Sequence, residues 1–272
     1  MRLTVLGSGS RGNALLLESG GTALLVDAGF SLRDLLRRLD AAGRDPARVA
    51  GIALTHEHGD HARGAARAAA AWRVPILASA GTLEALAPRL KGGTLTHALG
   101  AGAARPCGDF LVQAYPTAHD AADAVMLVVE DGDGRRVGIA YDVGSPTAAL
   151  HHACRNLDAL VIETNHDEVM LRSSAYPPAV RARIAGHGGH LSNRQAALLV
   201  AGAAHAGLAL VVLAHLSDRC NTPALARAAV AEALKPTAFR GKLLVATQDA
   251  PLPTVEVGAE LEQLALPLRG RR

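Results

Sequence analysis

The chain has 272 residues, of which 49% are hydrophobic and 19% charged, enough to bury a sizeable core and too apolar for a disordered segment. Its net charge of +3 is only a weak pointer to a polyanionic partner, and an aromatic content of 3% argues against an aromatic base-stacking platform for single strands. The most apolar stretches, such as Ala196 to Val212, are broken, here by Gly202, His205 and Gly207, and none makes a convincing membrane span.

In chain order, Leu3–Leu6, Ala14–Leu17 and Ala23–Val26 read as strands between Gly-rich turns. The first begins almost at Met1, so a strand rather than a leader is expected there, and a cytoplasmic protein with it. Ser31 is placed to cap a helix whose Leu32, Leu35, Leu36 and Leu39 share one face, with Gly43 past its end. A strand at 51–54 leads into a histidine-rich loop, and an Ala/Arg helix is expected over 62–72. Pro75–Ala78 reads as a short strand, followed by a helix to about Leu90. Further strands are expected at 110–114, 125–130, 136–140, 159–162, 209–213 and 243–247, with the turn Asp131-Gly132-Asp133-Gly134 joining two of them. Helices are expected at 146–155, 177–185, 192–206 and 222–235. This pattern predicts an α/β protein with two sheets face to face and helices outside, a single domain over 1–250 and a loosely held tail over 251–272. Cys107, Cys154 and Cys220 form no C-x-x-C pair and read as free thiols in a reducing compartment.

The chemistry is concentrated in Thr55-His56-Glu57-His58-Gly59-Asp60-His61. Neutral imidazole and carboxylate are ligand types favoured by Zn and related divalent ions. No single regular element can aim all four side chains at one ion, and Gly59 suits a tight loop wrapping two. Three later residues, His119, Asp142 and His215, each follow a predicted strand, and strand C-terminal ends are a natural place to gather ligands. A second segment, Gly7-Ser8-Gly9-Ser10-Arg11-Gly12-Asn13, lacks the G-K-[ST] of a Walker loop. It reads either as a tight turn or as a loop offering backbone N–H groups and the Ser8, Ser10 and Asn13 side chains to a phosphate.

In these ordered motifs the chain resembles the metallo-β-lactamase superfamily, from Leu3 to about Asp249. The resemblance implies a four-layer αββα sandwich with a two-ion site, the ions being Zn or Mn. It assigns His56, His58 and His119 to one ion and Asp60, His61 and His215 to the other, with Asp142 bridging. Class B β-lactamases generally carry Cys where Asp142 stands, which argues against that activity. Gly189-His190-Leu191-Ser192-Asn193, Glu163-Thr164-Asn165-His166-Asp167 and Ala214-His215-Leu216-Ser217 look like the phosphodiesterase branch that includes tRNase Z. There the match implies that His190 protonates the leaving group. Together with Ala118-His119-Asp120-Ala121, these segments are most similar to the YycJ/WalJ/VicX subgroup, associated with 5′→3′ exonuclease action on DNA. Neither a long Gly/Pro-rich arm, as in tRNase Z, nor room for a β-CASP domain exists between His61 and His119.

The expected activity is therefore a metal-dependent phosphodiesterase with nucleic acid, DNA above all, as its substrate. Asp60 and His190 are the catalytic candidates, with Glu163 orienting His190 and His166 and Ser192 supporting the site. A small-molecule cyclic phosphodiesterase, a thioester hydrolase and a non-catalytic regulatory protein stay open as alternatives. His97, His151, His152 and His205 read as bland surface or helical histidines, and His187 as a neighbour of His190 outside the motif.

Overall fold

A computed structural model describes residues 1–258. The first sheet holds β1 (Arg2–Gly7), β2 (Ala14–Ser19), β3 (Thr22–Val26), β4 (Val49–Ala53), β5 (Ile76–Ala78) and β6 (Thr96–Ala98). The second holds β7 (Arg105–Cys107), β8 (Phe110–Pro116), β9 (Val125–Asp131), β10 (Arg136–Ala140), β11 (Ala159–Glu163), β12 (Leu210–Ala214) and β13 (Lys242–Val245), in spatial order 13-12-11-10-9-8-7. A last strand, β14 (Val255–Glu256), returns to pair antiparallel with β1. Residues 251–258 thus run along the first sheet, where a loose tail was expected, and residues 259–272 of that expected tail lie outside the described residues.

The apolar runs explain the layers. Along β2, Leu15 and Leu17 face the second sheet, while Leu16 faces outward under helices, and all three are fully buried. A strand covered on both faces reads as a continuous apolar run rather than an alternating one. Between the sheets, Leu24, Val26, Ile139, Val161 and Val212 form the central core. Outside the first sheet pack α1 (Leu32–Ala41), α2 (Gly59–Ala62), α3 (Ala65–Trp72) and α4 (Ala80–Leu86). The second-sheet half carries α5 (Ala148–Ala153), α6 (Glu168–Ser173), α7 (Pro178–Ala185), α8 (Asn193–Ala203) and α9 (Pro223–Leu234), of which α5, α8 and α9 cover its outer face. Truncating a fully buried leucine in such a core costs about 2–5 kcal/mol. The result is the αββα sandwich.

Each sheet is antiparallel at one end and parallel at the other: β3 to β6 run parallel, as do β10 to β13. The loops leaving β3, β4, β10, β11 and β12 open onto one edge. The helix expected over 62–72 is broken in two at Gly64. That residue donates its N–H to Ala28 O, and a Cβ there would lie 2.1 Å from Phe30 O, so the chain bends where only glycine fits. Among the described residues no helix is long and apolar enough to cross a membrane.

Candidate metal centre

The histidine loop is clamped before it is functional. Asn13 N donates to Asp60 O (2.8 Å), Gly29 N to Asn13 O (2.9 Å) and Ala28 N to His61 O (2.6 Å). A Cβ on Gly29 would sit 1.7 Å from Asp60 O, so the close approach of the two loops requires glycine. From the second sheet, Asp142 and His215 follow β10 and β12 in the left-handed region, with φ of 48° and 53°. Asp27 does the same after β3, with φ of 57°. Sparsely populated backbone at strand ends that aim side chains into one cleft marks a site held by its surroundings.

Those ends bring all seven expected ligands together. His56, His58, His119 and Asp142 form one group, and Asp60, His61, Asp142 and His215 a second, the ligating atoms of each lying within 4.8 Å of one another. Three ring nitrogens converge on a single oxygen: Asp142 Oδ2 is 3.1 Å from His56 Nε2, 3.2 Å from His61 Nε2 and 3.6 Å from His119 Nε2. His215 Nε2 is 3.3 Å from Asp60 Oδ2.

The outward-facing nitrogens determine what the inward-facing ones present. His61 Nδ1 donates to Asp27 Oδ2 (2.7 Å) and His119 Nδ1 to Gly189 O (3.0 Å). Both partners can only accept, so Nδ1 carries the proton and Nε2 turns a lone pair inward. Thr55 Oγ1 donates to Asp27 (2.9 Å) and therefore accepts from His56 Nδ1 (3.1 Å), with the same result. His56 Nε2 is buried without a hydrogen-bond partner, and Asp142 Oδ1, equally buried, lies 2.6 Å from His215 Nδ1. Lone pairs crowded around a carboxylate in a buried place repel unless cations lie between them. The donors are all N or O, and the residues fit two divalent ions of the Zn or Mn kind.

The clustered side chains also set one another's charge. Burial opposes charge on His61 and His215, but Asp142 outweighs it and holds both well above the usual imidazole range. Burial would raise Asp60 and Asp142, yet the facing imidazoles keep both carboxyls far below their usual range. His56, whose burial adds to the repulsion of His61, is lowered instead.

His190 stands beside both groups. Its Nδ1 donates to Glu163 Oε1 (2.6 Å) and lies 3.5 Å from Asp142 Oδ1. Glu163 is fully buried and saturated: Oε1 also accepts from His215 Nδ1 (3.0 Å), and Oε2 accepts from the N–H groups of Val143 and Leu191. Burial lowers the His190 pKa, but the Glu163 charge outweighs it and pushes it up to about 10. The cleft above, about 200 Å³, is lined by Ser10, Asp60, Asp142, Arg183 and His190 among others.

Several expectations about the surrounding residues are corrected. Ser8 and Asn13 do not face a phosphate. Ser8 Oγ donates to Asn13 Oδ1 (2.7 Å) and accepts from His215 N (2.8 Å), and the buried Asn13 amide donates to Gly9 O (3.2 Å). They brace the loops, and only Ser10 is left exposed at the cleft. Ser192 is spent as the N-cap of α8, in a capping box with Gln195, and donates to Glu168 Oε1. His166 is buried, its ring Nδ1 unpartnered, and it makes no hydrogen bond to the clustered side chains among the described residues. His187 pairs with Ser145 Oγ (2.8 Å) and stays outside the groups, while His205 Nε2 donates to Leu157 O.

Three contributors were not anticipated. Asp27 holds His61 directly and His56 through Thr55; its only sequence signal is a polar residue ending an apolar strand. Asp120 lies 3.3 Å from His119 Nε2 and bonds Arg183 Nε at 2.6 Å, which brings an exposed guanidinium to the cleft rim.

Residues 7–155 match the metallo-beta-lactamase superfamily. The chain is 32% identical over 242 residues to exodeoxyribonuclease YycJ of Bacillus anthracis, covering 88% of this chain and 91% of the relative. The chain belongs to the metallo-β-lactamase superfamily. It is also 30% identical over 229 residues to exodeoxyribonuclease WalJ of Streptococcus pneumoniae, covering 83% of this chain and 85% of that one. In fold it is similar to the short form of human tRNase Z, with a TM-score of 0.64 at 17% identity over 94% of this chain and 99% of that one. Superfamily and ligand groups together make this chain a metal-dependent hydrolase.

Proposed function

We propose that this metallo-β-lactamase-fold hydrolase is a phosphodiesterase that acts on nucleic acid, and specifically a 5′→3′ DNA exonuclease. The observation that carries the reading is His190, held by buried Glu163 at the edge of the doubled ligand group and open to the cleft. A phosphodiester leaves as an alkoxide, which needs a proton; a thioester leaves as a thiolate, which needs one far less. DNA as substrate rests on the two exodeoxyribonuclease relatives, and the direction on the subgroup resemblance.

His56, His58 and His119 would hold one ion, Asp60, His61 and His215 the other, and Asp142 both. Such ions supply charge neutralisation of the phosphate and a water acidic enough to attack near neutral pH. Asp60 reaches its imidazole neighbours through Oδ2, which leaves its other oxygen to orient the attacking water. Glu163 fixes the His190 ring through Nδ1, so Nε2 is the atom that gives its proton to the departing 3′ oxygen. Arg183, at the rim, meets a strand's negative charge.

The test is a panel on protein reconstituted with Mn or Zn: single- and double-stranded DNA, RNA, a cyclic phosphodiester and a thioester. Stepwise release of mononucleotides from DNA 5′ ends is expected. Hydrolysis of the cyclic phosphodiester alone, with DNA and RNA untouched, would overturn the reading.

A further inference from the structure

A second polar pocket, about 300 Å³, adjoins the metal cleft across the turn at residues 10 and 11: Ser10 lines the cleft and Arg11 lines the pocket. Its other cationic walls are Arg37, Arg38 and Arg63, the last directly following the helix that carries Asp60 and His61. Two aspartates face them. Asp249 is engaged by Arg11 (2.9 Å), and Asp34 accepts from Ser31 Oγ (2.8 Å) and lies 3.8 Å from Arg37. Arg11 also lies 3.5 Å from Asp218, outside the lining, and four arginines against these three aspartates leave the pocket net positive. Arg63 is exposed and has no ion-pair partner among the described residues.

The decisive group is Arg38. It is 6% exposed, donates to Leu6 O (2.7 Å) and Gln248 O (3.0 Å), and lies 3.8 Å over the Phe30 ring. Its Nε is buried without a partner, and no carboxylate pairs with it among the described residues. A buried guanidinium bonded only to carbonyls and a ring face has no carboxylate in direct contact, which is costly unless an anion supplies one. The space for it is built in: a Cβ on Gly7 would fall 2.4 Å from Arg38 Nη1, and one on Gly12 would fall 2.8 Å from Phe30 Cε1. Two glycines of the segment at 7–13 thus serve this arginine.

We propose that this pocket is a phosphate subsite that holds a backbone phosphate of the substrate strand away from the scissile bond. It rests on the nucleic-acid reading above. His190, on the second-sheet side, marks where the leaving nucleotide lies; the arginines of the pocket all come from the first-sheet half, residues 11–63, and so take the strand that stays bound. Arg38 sets the positive floor, while Arg37 and Arg63 reach the phosphate oxygens.

The test compares kcat/KM of the metal-reconstituted enzyme on DNA of two and of eight nucleotides. In the Arg37→Ala, Arg63→Ala double variant, the advantage of the longer strand should fall about tenfold, and the slope of log kcat/KM against log salt should become shallower by about one. The Arg37→Lys, Arg63→Lys variant keeps the charge and should recover most of the advantage. DNA hydrolysis with an undiminished length advantage and salt slope in the alanine variant would overturn the subsite alone. Failure of the wild-type enzyme to cleave any DNA or RNA while it cleaves a cyclic phosphodiester would instead overturn the nucleic-acid reading, and the subsite with it.

Discussion

The two ligand groups meet at Asp142, yet they are braced by different chemistry. In the group of Asp60, His61 and His215, each imidazole leans on a buried carboxylate: His61 on Asp27, and His215 through one nitrogen on both Glu163 (3.0 Å) and Asp142 (2.6 Å). In the group of His56, His58 and His119, the braces are neutral: a threonine hydroxyl for His56 and a glycine carbonyl for His119. A hydrogen bond to an ionised acceptor is roughly twice as strong as a neutral one, and it makes the imidazole a better donor to a metal. The carboxylate-braced group is therefore the more rigid half of the centre. The other half is tied to it through the chain His56 to Thr55 to Asp27.

The strongest way to break this comparison is to remove what the groups share. Asp142→Ala takes one ligand from both, so both ions should be lost and activity should fall by on the order of 10⁴ or more. Elemental analysis after dialysis, together with DNA digestion, checks this. A variant that still carries two ions per chain would refute the bridging role.

Next in size is a residue that touches both groups and belongs to neither. His190→Ala should retain both ions and the fold but lose about 10²–10⁴-fold in turnover. The loss should shrink with a nitrophenolate leaving group, which departs without a proton. Equal losses with good and poor leaving groups, or a missing ion, would make His190 a structural or metal-binding residue instead.

How far this could be read beforehand differs between the halves of the centre. His56, His58, Asp60 and His61 stand within one loop, and their spacing is legible because a short segment needs no knowledge of the fold to be seen as a cluster. His119, Asp142 and His215 are single residues, legible only through the strands that precede them and the ordered resemblance. The long apolar strands were legible for the same reason that they form. The weakly patterned β6 and β7 were not, being three-residue pieces whose side chains are partly exposed. Asp27 was missed because one aspartate at a strand end has no pattern. Ser8 and Asn13 were aimed at a phosphate because a polar loop near metals invites that reading. Their direction is in fact set by the distant His215 N and the clamped histidine loop, which no local pattern contains.

Asp27→Asn sharpens the comparison further. The amide keeps the shape but loses the charge that braces His61 and anchors Thr55. Metal affinity should fall about 10–100-fold for the ion held by His61, with a smaller loss at the other. Stepwise competition against a coloured chelator resolves the two affinities. Unchanged affinity at both ions would remove Asp27 from the account.

The smallest effect expected, and the most specific, is that of Thr55→Val. Valine matches threonine in shape, so packing in this buried position changes little. What is lost is the hydroxyl that accepts from His56 Nδ1 and donates to Asp27. His61 keeps its own bond to Asp27, so its group should hold its ion within about twofold of wild type. His56 is left with a buried N–H and no partner, a cost of about 1–3 kcal/mol that metal binding must absorb or the ring must escape by turning. With the ring free to turn, the cost stays near the lower end, about 1 kcal/mol, so the ion held by His56, His58 and His119 should weaken by about fivefold. The same chelator titration reads both steps. If the two ions weaken equally, or if the His61 group weakens more, the neutral relay is not what distinguishes the halves, and the division of the centre into a carboxylate-braced and a hydroxyl-braced part fails with it.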